Sequence, residues 1–147
     1  MRIKTTFATA IVAATLAMTG TVNAQDAAIV GRWKTLDDKT GKAMTITEVY
    51  QAKNGTYTAK IVENLGLPAT CTECSGKYKD QPFVGIVTIW NLKPIDGGWG
   101  GGNGYKPSED REFKVKRVKL SADGKKLEVT GCVAAFLCRT GEWVRAD

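Results

Sequence analysis

Apolar and polar residues alternate along most of this chain in short runs, and turn residues interrupt the runs at fairly even spacing. Alternation with period two, bounded by Gly, Asn, Asp and Pro, predicts half-buried β-strands joined by hairpins. The runs span residues 30–36, 44–51, 57–63, 83–92, 98–104, 112–120, 126–133 and 137–145. The punctuation between them is Asp37-Asp38-Lys39-Thr40-Gly41, Asn54-Gly55, Asp96-Gly97 and Asp123-Gly124. Asn54-Gly55 predicts a two-residue type I′ hairpin, because both central residues of that turn need positive φ. The run 83–92 is the most apolar and reads as a central strand. In the run 112–120, Phe113 and Val115 share one phase while Val118 and Leu120 share the other, so a bulge near Lys116 or Arg117 is expected. Eight strands in series predict an all-β, antiparallel up-and-down barrel, which removes exposed sheet edges. An interior of that size is filled by side chains or holds one small ligand. No internal repeat or second domain is visible.

The N-terminus departs from this pattern. Arg2 and Lys4 precede an uncharged apolar run over residues 7–18, Gly20 breaks it, and Val22-Asn23-Ala24 places small residues where a signal peptidase reads. Residues 1–24 are therefore expected to be a cleaved signal peptide, and residues 25–147 a single barrel domain in the periplasm or secreted. The apolar run is too short for a bilayer span, which needs about 20 residues. The mature chain is expected to carry no membrane span.

Composition narrows the chemistry. Of 147 residues, 43% are hydrophobic and 24% charged, and histidine is absent. Ser-His-Asp and Cys-His catalysis, His-bound metals and imidazole switches are therefore excluded. Losing Arg2 and Lys4 with the leader lowers the formal charge from +6 to +4, which does not argue for a nucleic-acid partner. The acidic pairs Asp37-Asp38 and Glu109-Asp110 fall in expected turns, where they serve turn geometry. No matched acid–base pair or metal set is visible, so the chain reads as a non-enzyme with no metal and no cofactor.

Four cysteines in an exported chain point to disulfides. The favoured pairs are Cys71–Cys74 and Cys132–Cys138. The second pair requires the chain to turn at Ala134-Ala135-Phe136, because a straight strand would hold the cysteines about 20 Å apart. Each small loop is worth about 2 kcal/mol, and a long-range pair such as Cys71–Cys138 about 4 kcal/mol, so energetics leave the pairing open. A Cys-x-x-Cys redox centre and a four-thiolate zinc site are the competing readings.

Two short patterns sharpen the barrel. Gly31-Arg32-Trp33 opens the first strand, and Trp143-Val144-Arg145 ends the last. This resembles the lipocalin, fatty-acid-binding and avidin superfamily, in which Gly-x-Trp opens the barrel and a late basic residue packs over that tryptophan. The resemblance implies that Gly31, Trp33 and Arg145 close the barrel, with Arg145 over the indole face. The Thr-Asp-Tyr element of typical lipocalins is absent. A larger match runs through Gly31-Arg32-Trp33, Asp37 to Lys42, Gly55-Thr56-Tyr57, Lys60-Ile61-Val62, Cys71-Thr72-Glu73-Cys74, Gly85-Ile86-Val87, Leu127 to Gly131 and Trp143-Val144-Arg145. The combination resembles the bacterial domain-of-unknown-function family 2147, small exported lipocalin-like barrels. The resemblance implies no activity, and residues 98–107 are richer in glycine than the family leads one to expect.

Tyr50, Tyr57 and Trp90 are the candidate ligand-lining residues, with core packing as the competing role. Lys114, Lys116, Arg117 and Lys119 read as a solvated strand face, from which one inward cation would meet the carboxylate of an acidic ligand. The glycine cluster fits no phosphate-loop pattern and reads as bends or close backbone approach. The leading expectation is an exported module holding a small hydrophobic or amphipathic ligand in the barrel. The alternative is a filled barrel acting as an envelope structural or interaction domain with a protein partner.

Overall fold

The computed structural model describes residues 28–147. The expected leader, and the mature start at residue 25, lie outside the described residues. Nine strands follow in order: β1 (Gly31–Leu36), β2 (Ala43–Gln51), β3 (Tyr57–Asn64), β4 (Val87–Ile95), β5 (Gly98–Gly100), β6 (Asn103–Lys106), β7 (Arg111–Leu120), β8 (Lys126–Ala134) and β9 (Leu137–Arg145). Short 3₁₀ turns occupy Gly76–Tyr78 and Pro107–Glu109. β5 and β6 flank Gly101-Gly102 and both pair with β4 and β7, so they form one interrupted strand. Counted this way, eight antiparallel strands each pair with the next. β9 returns to β1 through Trp33↔Arg145, Lys34↔Val144 and Thr35↔Trp143, closing the barrel.

Alternation explains most of the wall. Trp33 on β1, Val49 on β2, Tyr57 and Ala59 on β3, and Leu127 and Val129 on β8 turn inward and are buried together. On β7 the register jumps from Val115↔Gly131 to Arg117↔Thr130, so Lys116 is the bulged residue. The bulge lets Val115 and Val118 both point inward. It also leaves Lys114, Lys116, Arg117 and Lys119 all exposed. The inward cation considered from the sequence is therefore not present.

Two local expectations are corrected. The fourth strand begins at Val87, not at residue 83, and runs on to Ile95. Gly85, at φ +99°, turns the chain ahead of it, and Phe83 and Ile86 are buried under a loop instead. Asn91, at φ +56°, then shifts the phase so that Ile89 and Leu92 face the same interior. The Asn54-Gly55 hairpin is wider than a two-residue turn. Only Gly55 has positive φ, and the loop closes through Ala52 N–H to Thr56 O at 2.7 Å and Gly55 N–H to Ala52 O at 2.9 Å. The Asn54 side chain accepts from the Thr56 N–H and hydroxyl, an Asx-type arrangement that favours the longer loop.

Glycine in the fifth run serves close approach. A Cβ on Gly98 would lie 2.2 Å from the Val118 carbonyl oxygen, so β5 packs backbone-to-backbone on β7 and Trp99 turns into the core. Connectivity places the connections after β1, β3, β6 and β8 at one end of the barrel. The β2–β3, β4–β5 and β7–β8 turns and both described termini lie at the other. Cys71 is bonded to Cys74 and Cys132 to Cys138, both at the first end. A second buried cluster sits there, made by Ile61, Cys71, Cys74, Phe83, Ile86 and Tyr105.

Candidate functional site

The barrel interior is full. Trp33, Trp99 and Tyr57 are each buried to 2% exposure or less, and aliphatic side chains fill the space between them. An apolar void of about 10 Å³ remains, lined by Ile29, Val49, Thr58, Ala59, Ile89, Leu92, Val118, Leu127, Val129 and Trp143. That is about the least that admits one water. A drug-sized or acyl ligand needs roughly 300 Å³ or more.

The aromatic candidates are not brought together. Tyr57 lies in the inner cluster. Tyr50, half-buried, sits beside inward Val49 and carries the Lys60 ammonium 5.7 Å from its ring centre. Trp90, half-buried, packs against the second cluster beside β6, not inside the barrel. Tyr50 and Trp90 therefore face away from the void.

The end opposite the disulfides is sealed by Arg145. Its guanidinium lies 4.0 Å from the Trp33 ring centre. Nη2 donates to Ala28 O at 2.8 Å, Nε to Gly124 O at 3.0 Å and Nη1 to Val30 O at 3.2 Å. Trp33 Nε1 donates to Ile29 O at 2.9 Å. Gly31, at φ +133°, makes room, since a Cβ there would meet Arg145 Nη1 at 2.8 Å. The fork and the indole thus pin the incoming segment across this end.

The disulfide end carries the chemistry that sequence reading missed. Lys106 bridges Asp38 at 2.9 Å and Glu109 at 2.8 Å, and Arg139 approaches Glu109 at 3.7 Å. Desolvation pulls the Lys106 ammonium down, but its bonds to Glu109 and Asp38 outweigh that and raise it. The Lys106 hydrogen bond holds the Glu109 carboxyl below its usual range. Tyr105 stacks on Tyr78 at 5.2 Å and donates its hydroxyl to Asp110 at 2.7 Å. Burial, then that bond, push the Tyr105 phenol up to about 12. Asp110 is lowered by accepting from Tyr105 and from the hydroxyl and N–H of Ser75. These are structural pairings in which each acid accepts from a neighbouring donor. The Lys106-x-x-Glu109 spacing was the one sequence signal for them. The Cys71 and Cys74 sulfurs are buried, 3.6 and 3.7 Å from the Pro107 carbonyl oxygen, and shielded from thiol exchange. Among the described residues, no cluster of three His, Cys, Asp or Glu stands ready for a metal, and no helix is long and apolar enough to cross a membrane.

A closed eight-stranded antiparallel barrel with few helical turns defines a lipocalin-like fold. A Helicobacter pylori protein, HP1028, described as belonging to the lipocalin family, superposes with a TM-score of 0.67. The two chains are 22% identical over 81% of this chain and 83% of that one. At that identity the likeness concerns the fold. Residues 31–145 match the family described as an uncharacterized protein conserved in bacteria (DUF2147), and the chain belongs to that family. No curated protein matches the chain.

Proposed function

We propose that this protein is an extracytoplasmic interaction module, a lipocalin-like barrel whose interior is packed for stability and whose binding surface is its disulfide-braced end. The observation that carries this reading is the 10 Å³ void in place of a ligand chamber. Lipocalin-like barrels typically bind and do not catalyse, which agrees with the satisfied carboxylates at the braced end. Two disulfides there suit an oxidising compartment outside the cytoplasm.

Among the described residues, five of the seven exposed large apolar side chains also lie at the braced end: Leu65, Val84, Val133, Phe136 and Leu137. Exposed apolar residues gathered at one end suit a contact surface better than a solvated one. Backbone amide NMR with added fatty acid or lipid monomers tests the reading. Shifts confined to the braced end are expected. Large shifts at Val49, Ala59, Ile89 and Val118 would show that ligand enters the barrel.

A second reading, a small ligand inside the barrel, has one observation in its favour. Trp99 Nε1 is the one buried side-chain nitrogen or oxygen among the described residues without a hydrogen-bond partner. A ligand acceptor reaching it would offset the cost of that orphan, about 1–3 kcal/mol. Reaching it would require the side chains around the void to move apart.

A further inference from the structure

We infer that the β8–β9 hairpin tip is an interfacial anchor that dips into an anionic phospholipid bilayer. This rests on the surface-binding reading above and names the partner. The tip is Val133-Ala134-Ala135-Phe136-Leu137, five apolar residues in succession, all exposed. Phe136 is 88% exposed, Leu137 63% and Val133 48%. Turns in water favour Gly, Asn, Asp, Ser and Pro, and this one has none.

Three features make the tip suited to lipid. First, the β8–β9 ladder continues past Cys132↔Cys138 to Ala134↔Leu137, with Val133 bulged, so part of the tip backbone is already paired. Second, the Cys132–Cys138 disulfide clamps the neck of the hairpin, so little ordering entropy remains to be lost on insertion. Third, the charge behind the tip has the right sign. From Val129 to Thr140 there is no acid, and Arg139 is 77% exposed just behind Cys138. Exposed Lys114 lies across from Cys132 on β7. Asp38 and Glu109 are balanced by Lys106 and Arg139, and exposed Lys114, which has no acidic partner within ion-pair distance among the described residues, adds the net positive charge. Without Arg2 and Lys4 of the expected leader, the chain keeps a formal charge of +4 out of +6.

Phe136 stands two residues beyond Cys138, roughly 7 Å from the neck, within the roughly 5–10 Å to which interfacial apolar groups are buried. Arg139 and Lys114 then stand at headgroup level. A protein groove is the less favoured occupant, because no side chain from Val133 to Leu137 carries a hydrogen-bonding group to specify a partner.

The test is co-sedimentation of the oxidised protein with vesicles of phosphatidylcholine and phosphatidylglycerol at 7:3, and of phosphatidylcholine alone. The mixed vesicles should bind at least tenfold more strongly, less so at high salt. Phe136→Asp and Leu137→Asp should each cut binding about tenfold or more without changing Tm, because both side chains are exposed. Arg139→Glu should remove most of the preference for phosphatidylglycerol. Failure of the wild-type protein to bind the mixed vesicles, or equal binding by Phe136→Asp, would overturn the inference. So would a dimer in sedimentation velocity that Phe136→Asp abolishes without any lipid binding, since the tip would then join two copies of the chain. Each of these failures leaves the filled-barrel reading standing. That reading fails separately, if a small molecule copurifies inside the barrel.

Discussion

Arg145 gives the sharpest energetic test of how this barrel is held shut. Replacing it with alanine removes three hydrogen bonds from a charged donor to the carbonyls of Ala28, Val30 and Gly124, together with the guanidinium–Trp33 contact. Hydrogen bonds to charged groups contribute about 1.5–3 kcal/mol each, and a partly desolvated cation–π contact about 1–2 kcal/mol. Against this, Val30 is exposed and water replaces that bond cheaply, and the long side chain regains about 2 kcal/mol of rotamer entropy. The net loss expected for Arg145→Ala is about 3 kcal/mol. With an unfolding entropy of about 2.1 cal/mol/K per residue over a domain this size, Tm should fall by roughly 12 °C. Arg145→Lys keeps the charge but loses the planar fork, and should suffer most of the same loss. Urea melts at pH 7 with matched m-values provide the assay. An Arg145→Ala protein within 0.5 kcal/mol of wild type would refute the reasoning, because the fork would then be a surface contact that water replaces at no cost.

The two buried tryptophans should respond differently to phenylalanine. Trp99→Phe removes an orphan N–H and should stay within about 1 kcal/mol of wild type, whereas Trp33→Phe breaks its bond to Ile29 O and should cost about 2 kcal/mol; a loss above 2 kcal/mol at Trp99 in chemical denaturation would show that its N–H has a partner. Gly104→Ala should destabilise by about 1–3 kcal/mol, since its Cβ would fall 2.1 Å from the Phe113 ring, and a Phe113→Val background should reduce that cost in a double-mutant cycle. Stability should also depend on pH at both extremes. Asp37, Glu109, Asp110 and Asp123 are lowered in the fold, so their contribution is present above the ordinary carboxylate range and is lost as pH falls through their folded values. Tyr105 is raised to about 12, so the unfolded chain loses that proton first and stability falls between pH 10 and 12. Tyr105→Phe should flatten the alkaline decline in urea melts across pH, and an unchanged slope would place the titration elsewhere.

Much of the barrel was legible because alternation is a local signal. The strand 137–145 matches to the residue, and the phase conflict in 112–120 located the bulge that the register places at Lys116. The fourth strand was misplaced at its start because Phe83 and Ile86 are as apolar as strand residues, and alternation cannot distinguish burial under a loop from burial in a wall. The positive φ at Asn91, which resets the phase of β4, has no signature beyond the residue type. The same limit applies to Tyr50 and Trp90: each lies one residue from an inward side chain, Val49 and Ile89, and a one-residue difference in phase turns a side chain to the opposite face. The Lys106–Asp38 pair joins residues 68 positions apart, and no short-range pattern encodes it. The middle of the apolar tip, Ala134-Ala135-Phe136, was visible in sequence as a turn required by the cysteines. Its exposure followed only once β8 and β9 were seen to run past the wall.

The central claim is that this barrel is packed and does not serve as a container. Native mass spectrometry of the protein recovered from the compartment it occupies, followed by denaturation without reductant, tests it most directly. The expected result is a native mass equal to the denatured mass, with four hydrogens missing for the two disulfides. A native mass larger by a few hundred daltons, lost on denaturation, would contradict the account and place a ligand where the structure leaves about 10 Å³.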